Sequence, residues 1–78
     1  LKGAILADAN LMGVDLGGIN LTGANLTGAN LTEANLTGAN LERARLQDVK
    51  LDDKTQIDPK WRRVWEIVNQ KFKKRYLK

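Results

Sequence analysis

Leucine recurs at every fifth position along the first two thirds of the chain. It fills eleven consecutive positions of this series without exception: Leu1, Leu6, Leu11, Leu16, Leu21, Leu26, Leu31, Leu36, Leu41, Leu46 and Leu51. A period of five matches neither the 3.6-residue period of an α-helix nor the two-residue period of a β-strand. The pattern therefore predicts a chain that turns once in every five residues.

A second apolar column lies two residues before each leucine, and it contains small side chains: Ala4, Ala9, Val14, Ile19, Ala24, Ala29, Ala34, Ala39, Ala44 and Val49. The position between the two columns is polar except at Ile5. This alternation places both apolar side chains on one face of a very short strand. Glycine is frequent two residues after leucine, where it suits a turn. Because one unit cannot bury its own leucine, the units must stack as a solenoid.

These units resemble the A-[DN]-L-x-x repeats of the pentapeptide-repeat family, and the resemblance covers residues 1–53. It implies an all-β solenoid, a right-handed quadrilateral β-helix with 20 residues per coil and about two and a half coils here. The inward-facing residues implied are Leu6, Leu11, Leu16, Leu21, Leu26, Leu31, Leu36, Leu41, Leu46, Leu51, Ala24, Ala29, Ala34 and Ala39.

The outward positions contain two regularly spaced sets of polar side chains, threonines and asparagines. Thr22, Thr27, Thr32 and Thr37 are five apart, so on a four-sided coil they lie on different faces and form no flat threonine plane. Asparagines 20 residues apart share a face. We therefore predict short amide ladders that join Asn10 to Asn30 and Asn20 to Asn40.

The repeat pattern breaks after Leu51, and residues 54–58 are interpreted as a linker. Asp58 and Pro59 suit the start of a helix, because Asp can accept from free N–H groups and Pro fits the first helical turn. The pattern predicts an amphipathic helix over residues 59–78, with Asp58 as its cap and an apolar stripe of Trp61, Val64, Trp65, Val68 and Phe72. We expect this stripe to cover the last coil, as in the C-terminal extension of cyanobacterial pentapeptide-repeat proteins that it resembles.

Charge divides the chain into two unlike parts. Residues 1–53 carry four basic and seven acidic side chains, whereas residues 54–78 carry nine basic and two acidic ones. The basic end contains Lys71, Lys73, Lys74 and Arg75. Such a basic end can contact nucleic acid or an anionic membrane, which is the alternative function.

The residue types argue against an enzyme. The sequence contains no cysteine, histidine or serine, so nucleophile–histidine pairs and histidine or thiolate metal sites are absent from it. We expect no cofactor. The interpretation is a non-catalytic protein-interaction or scaffold module with an unidentified protein partner, whose coil end at residues 1–14 meets preceding coils or a second copy.

No apolar run approaches the roughly 20 residues of a membrane span, and no signal peptide is recognisable. The chain starts within a repeat, so we interpret it as the C-terminal part of a longer protein. Its location follows from nothing in the sequence, and the cytoplasm is only the default expectation.

Overall fold

The computed structural model describes residues 1–70. Its regular elements are β1 (Asn35–Leu36), β2 (Gln56–Ile57) and one helix, α1 (Pro59–Val68). Strands β1 and β2 pair in parallel as a two-stranded sheet. The rest of the coil consists of single β-bridges separated by turns, because each extended segment is only about three residues long.

One turn recurs in every repeat unit. In the unit at Leu21, the N–H of Ala24 donates to the Leu21 carbonyl oxygen at 2.9 Å, and Gly23 has a φ of 71°. A positive φ at the third residue is what a type II turn requires, and glycine adopts it without steric cost. Glu33 holds the same conformation with a φ of 63°, so the turn persists where glycine is replaced.

The coil repeats after 20 residues. Parallel bridges join residues that are 20 apart: Ile5 to Asn25, Asn10 to Asn30, Asp15 to Asn35, Asn20 to Asn40, Asn25 to Arg45 and Asn30 to Lys50. In the first of these, the Asn25 N–H donates to the Ala4 carbonyl at 2.9 Å, and the Leu6 N–H donates to the Asn25 carbonyl at 2.8 Å. The first coil is thus held to the second by backbone hydrogen bonds on all four sides, and the second coil is held on three sides, to Arg45, Lys50 and β2.

Leucine and the small apolar column fill the interior. The core contains Leu16, Leu21, Ala24, Leu26, Ala29, Leu31, Ala34, Leu36, Ala39, Leu41, Leu46 and Val49. The remaining inward-facing leucines, Leu6, Leu11 and Leu51, are half-buried and pack against this cluster. They lie in the outermost turns, where the described residues provide a neighbouring layer on one side only.

The segment predicted as a linker, residues 54–58, differs from that prediction. It contains β2, which continues the stack: Gln56 pairs with Asn35 and Ile57 with Leu36. This register is 21 rather than 20 residues, so one extra residue is accommodated in the turn after Leu51. The Thr55 side chain is 5% exposed and takes an inward position in this unit.

Helix α1 also differs from the predicted helix over 59–78. It ends at Val68, and Gln70 has a φ of 54° in the turn that follows. Asp58 precedes the helix at the N-cap position, but its side chain makes no capping hydrogen bond. Instead, Asp58 Oδ1 accepts from the Gly38 N–H at 3.4 Å, which ties the start of α1 to the coil.

The apolar stripe of α1 is narrower than the spacing predicts. Trp61 and Trp65 pack against the coil core, whereas Val64 and Val68 are 37% and 42% exposed. Both valines are therefore misassigned to the buried face. Phe72, the fifth member of the predicted stripe, lies outside the described residues.

Candidate interaction surfaces at the two ends of the coil

The two ends of the coil differ in how their backbone groups are used. The edge formed by the first coil, which we call the first-coil edge, presents the N–H and C=O groups of Ile5, Asn10, Asp15 and Asn20. In the next coil, the equivalent residue Asn25 uses both groups to bond the preceding coil. Within residues 1–70, the backbone groups of these four residues make no backbone hydrogen bond. They form an unpaired β-edge on each side of the coil.

Large apolar side chains surround the first-coil edge. Leu1 is 58% exposed, Ile5 84%, Met12 53% and Val14 37%. Ile5 occupies the outward column in which the later coils carry asparagine or a charged residue. Within residues 1–70, unpaired backbone groups and exposed apolar side chains therefore coincide at the first coil.

At the opposite end, side chains of α1 and the residue after it take the place of a following coil. Trp65 Nε1 donates to the Val49 carbonyl at 2.7 Å. Asn69 Nδ2 donates to the Leu46 carbonyl at 3.0 Å, and Asn69 Oδ1 accepts from the Asp48 N–H at 2.7 Å. The Val49 carbonyl and the Asp48 N–H correspond to the Ala29 carbonyl and the Gly28 N–H, which bond the following coil, so the two side chains replace those two bonds. The Leu46 carbonyl also accepts from the Val49 N–H of its own turn.

The turn before β2 closes a second side of this end. Asp52 Oδ1 accepts from the backbone N–H groups of Glu33 and Lys54 at 3.1 Å and of Thr55 at 3.0 Å. The Thr55 hydroxyl lies 2.9 Å from the Leu31 carbonyl oxygen, to which it can donate. Arg62 of α1 reaches the same turn, where its Nη2 donates to the carbonyls of Asp52 and Thr55 at 3.2 Å.

These hydrogen bonds lower the pKa of the Asp52 carboxyl. The Glu33 N–H is the largest cause that holds the pKa of the Asp52 carboxyl below its ordinary value of 3.8, and the Thr55 hydroxyl acts in the same direction against partial desolvation. A carboxyl with a lowered pKa in the fold stabilises the fold above its unfolded pKa, and that contribution disappears as the pH falls through the folded value. We expect the stability of the wild-type chain to fall more steeply below pH 3.8 than that of Asp52→Asn.

Urea unfolding of the two proteins at neutral pH and through the acidic range measures this difference. The asparagine retains an oxygen acceptor but does not titrate, so the other carboxylates contribute equally to both curves. Parallel pH profiles for the two proteins would show that Asp52 does not carry the expected acid sensitivity.

On the lateral faces, the Asn and Asp side chains mainly form hydrogen bonds within their own turns rather than ladders between coils. Each Asx side chain from Asn10 to Asn40 accepts from the N–H two residues later, as Asn25 Oδ1 does from Thr27 at 3.1 Å. The predicted ladders are wrong, because within residues 1–70 no side-chain hydrogen bond joins Asn10 to Asn30 or Asn20 to Asn40. One inter-coil amide contact exists elsewhere, from Asn35 Nδ2 to Asp15 Oδ1 at 3.1 Å.

An open groove of about 480 Å³ separates α1 from the last turns of the coil, lined by Asp48, Val49, Lys50, Leu51, Trp65 and Asn69. Its polar side chains are one carboxylate, one amine and one amide. In residues 1–70, no three potential metal ligands of the His, Cys, Asp or Glu type cluster together. Nor does a helix in that range have the length and hydropathy of a membrane span.

The predicted basic contact lies outside the part of the chain that the structure describes, because Lys71, Lys73, Lys74 and Arg75 all follow Gln70. Sequence reasoning missed Asp52, Thr55, Arg62 and Asn69. Only the break in the repeat after Leu51 marks this region in the sequence. Their partners are between 2 and 24 residues away and follow no period.

The fold is a β-helical solenoid in which parallel bridges join residues 20 apart. The Pentapeptide repeats family matches residues 15–53 with eight copies, which is half of the chain, so the chain belongs to this family. The coil is accordingly a right-handed β-helix.

A solved structure supports this assignment. The chain is similar to the crystal structure of a pentapeptide repeat protein, Rfr23, from the cyanobacterium Cyanothece 51142, with 50% identity and a TM-score of 0.73. The match covers 74% of this chain and 40% of Rfr23, so the present chain corresponds to less than half of that protein. No curated protein matches the sequence.

Proposed function

We propose that this chain is a non-catalytic interaction or scaffold module: a β-helix of about two and a half coils whose C-terminal end is capped by α1. The observation that carries the proposal is the first-coil edge, where unpaired backbone lies among exposed Leu1, Ile5 and Met12. A soluble protein normally covers or charges such an edge. Preceding coils, a second copy or another protein would cover this edge, and each of them is a protein surface.

The cap assigned to α1 is supported by the hydrogen bonds at the opposite end. The side chains of Trp65 and Asn69 satisfy Val49, Leu46 and Asp48, and the Arg62 guanidinium holds the turn before β2. Binding at this end would have to displace these contacts. Within residues 1–70 no such contacts cover the first-coil edge, so preceding coils or a protein partner can dock there without displacing side chains.

Site-specific photo-crosslinking tests the proposal. A photoreactive amino acid at Ile5 is compared with one at Thr37, which is exposed on a lateral face. Both full-length chains are produced in cells, irradiated, and their adducts identified by mass spectrometry. We expect one reproducible protein adduct from position 5 and none from position 37. If position 5 forms no protein adduct, the edge is not a docking surface and the proposal fails.

The alternative, binding to nucleic acid or an anionic membrane, draws its support from sequence charge alone. Residues 54–78 carry nine basic against two acidic side chains. Phosphate binding by such a segment weakens steeply with added salt. A partner held at the first-coil edge by backbone pairing and apolar contact shows little salt dependence, and this difference separates the two functions.

A further inference from the structure

We propose that the outward face of α1, formed by Lys60, Arg63, Val64, Ile67 and Val68, binds the surface of an anionic lipid bilayer. The inference goes beyond the proposed function, because it concerns a different surface and a different class of partner. It follows from three features: a second apolar stripe on α1, the cations that continue this stripe, and the unequal distribution of charge along the chain.

Helix α1 carries apolar side chains on two faces. Trp61 and Trp65 pack against the coil core. On the outward face, Val64 is 37% exposed, Ile67 57% and Val68 42%. Spacings of three and four residues place these three aliphatic side chains next to one another on the helix surface. The coil therefore explains the tryptophans, whereas the aliphatic stripe fits a second apolar partner.

Two cations continue the aliphatic stripe toward the start of α1. Lys60 and Arg63 are both exposed, and they precede Ile67 by seven and four residues, which is the spacing of one helix face. Arg63 Nη1 lies 4.0 Å from Glu66 Oε1, but the Arg63 side chain is 74% exposed, so this ion pair is weak. Long cationic side chains beside aliphatic ones suit the boundary between lipid headgroups and acyl chains.

The distribution of charge selects an anionic surface. Residues 59–78 contain eight basic side chains and one acidic side chain. Residues 1–42, which form the first two coils, contain one basic and four acidic side chains. A bilayer with anionic headgroups attracts the first group and repels the second. This charge complementarity turns the α1 side of the molecule toward the membrane.

The aliphatic stripe is too small to hold the chain on a neutral bilayer. Its three side chains contain about ten carbons, fewer than a myristoyl chain, which alone binds membranes only marginally. Each basic side chain near an anionic surface adds about a fivefold gain in affinity. Binding therefore requires the aliphatic stripe and the anionic headgroups together.

Nucleic acid would attract the same cations, but the neighbouring side chains favour lipid. Proteins that bind single strands stack the bases on aromatic side chains. Here Trp61 and Trp65 pack against the coil, and Trp65 Nε1 donates to the Val49 carbonyl at 2.7 Å. The exposed side chains beside the cations are aliphatic, and they gain affinity from acyl chains rather than from bases.

Vesicle flotation of the full chain measures the binding. Vesicles of phosphatidylcholine are compared with vesicles of phosphatidylcholine mixed with phosphatidylserine. We expect at least about tenfold tighter binding to the anionic vesicles, with a loss of affinity as salt is added. Equal binding to the two kinds of vesicle, or binding to neither, overturns the proposal.

Two isoleucine variants test which surface makes the contact. Ile67→Ser removes aliphatic carbons from the outward face of α1 without changing the charge, and Ile5→Ser makes the same change at the first coil. We expect Ile67→Ser to weaken vesicle binding about tenfold, because each buried methylene contributes about fourfold. Ile5→Ser should bind vesicles like the wild-type chain. Equal vesicle affinities of the two variants, both folded by circular dichroism, overturn the assignment.

Fluorescence anisotropy with a labelled oligonucleotide tests the competing partner. We expect the oligonucleotide to bind more weakly than the anionic vesicles and to be unaffected by Ile67→Ser, because this variant keeps every charge. If the oligonucleotide binds more tightly and Ile67→Ser changes neither affinity, the partner is nucleic acid and the inference fails.

Nuclear magnetic resonance locates the contact on the unaltered chain. Anionic vesicles that carry a nitroxide-labelled lipid should broaden the methyl signals of Val64, Ile67 and Val68 and leave those of Ile5 unchanged. Broadening at Ile5 rather than at Ile67 would place the lipid at the first coil and overturn the proposal. A protein adduct at position 5 without vesicle binding would leave the proposed function standing while this inference fails.

Discussion

Leu31→Asp should prevent the chain from folding. Leu31 is 1% exposed and lies in the middle of the core, with coils on both sides. A carboxylate there would lose its hydration with no cation inside the coil to pair with it, at a cost of several kcal/mol. A small domain has about 5–15 kcal/mol of stability in total, and the lost leucine packing adds to the deficit. Circular dichroism and urea unfolding should show an unfolded chain.

Thr32→Asp is the matched control, because it introduces the same side chain one residue later. Thr32 faces outward, and its hydroxyl donates to Asn30 Oδ1 at 2.8 Å. Loss of that local bond costs about 1 kcal/mol, so the variant should fold. Comparable damage from both substitutions would mean that the inward and outward columns are assigned incorrectly.

Trp65→Ala should remove about 2–3 kcal/mol of stability. The substitution deletes an aromatic ring packed on the core and leaves the Val49 carbonyl without the indole donor now 2.7 Å away. Truncation of a fully buried tryptophan costs about 3–5 kcal/mol, and partial burial lowers this figure. Chemical unfolding followed by circular dichroism gives the change in the free energy of unfolding directly.

Val64→Ala, one residue earlier on α1, provides the control. Val64 is 37% exposed and lies outside the group of side chains packed on the core. Its truncation should change stability by no more than about 0.5 kcal/mol. Equal losses in the two variants would indicate that α1 stabilises the protein through its whole helix rather than through the contacts of Trp65.

The two ends of the coil illustrate one physical problem with two outcomes. A β-solenoid leaves unpaired backbone wherever stacking stops, and this edge must be covered or bound. At the α1 end, Trp65, Asn69, Asp52 and Thr55 provide side-chain donors and acceptors. At the first-coil edge, residues 1–70 provide no equivalent side-chain contacts.

The sequence alone determined the repeated part of the fold. The leucine column from Leu16 to Leu46 faces inward. Every unit has the same pattern of apolar and polar residues, and stacking places that pattern in the same surroundings in each coil. Glycine two residues after leucine signals the turn, because Gly23 and its equivalents need a positive φ. The start of a helix after Asp58 was also readable, since Pro59 fits the first turn.

Only the tertiary structure decided how the repeat ends. The sequence pattern predicts a linker over residues 54–58, yet β2 extends the coil because Gln56 and Ile57 pair with β1. The helical period predicted burial for Val64, but contact with the coil is made by Trp61 and Trp65.

The hydrogen bonds that close this end have no periodic signature. Trp65 reaches Val49 and Asn69 reaches Leu46 across 16 and 23 residues. The structure of a repeat can be predicted from its local sequence because every unit has the same neighbours. The end of the coil has no equivalent elsewhere in the chain, so its contacts form only when residues distant in sequence come together.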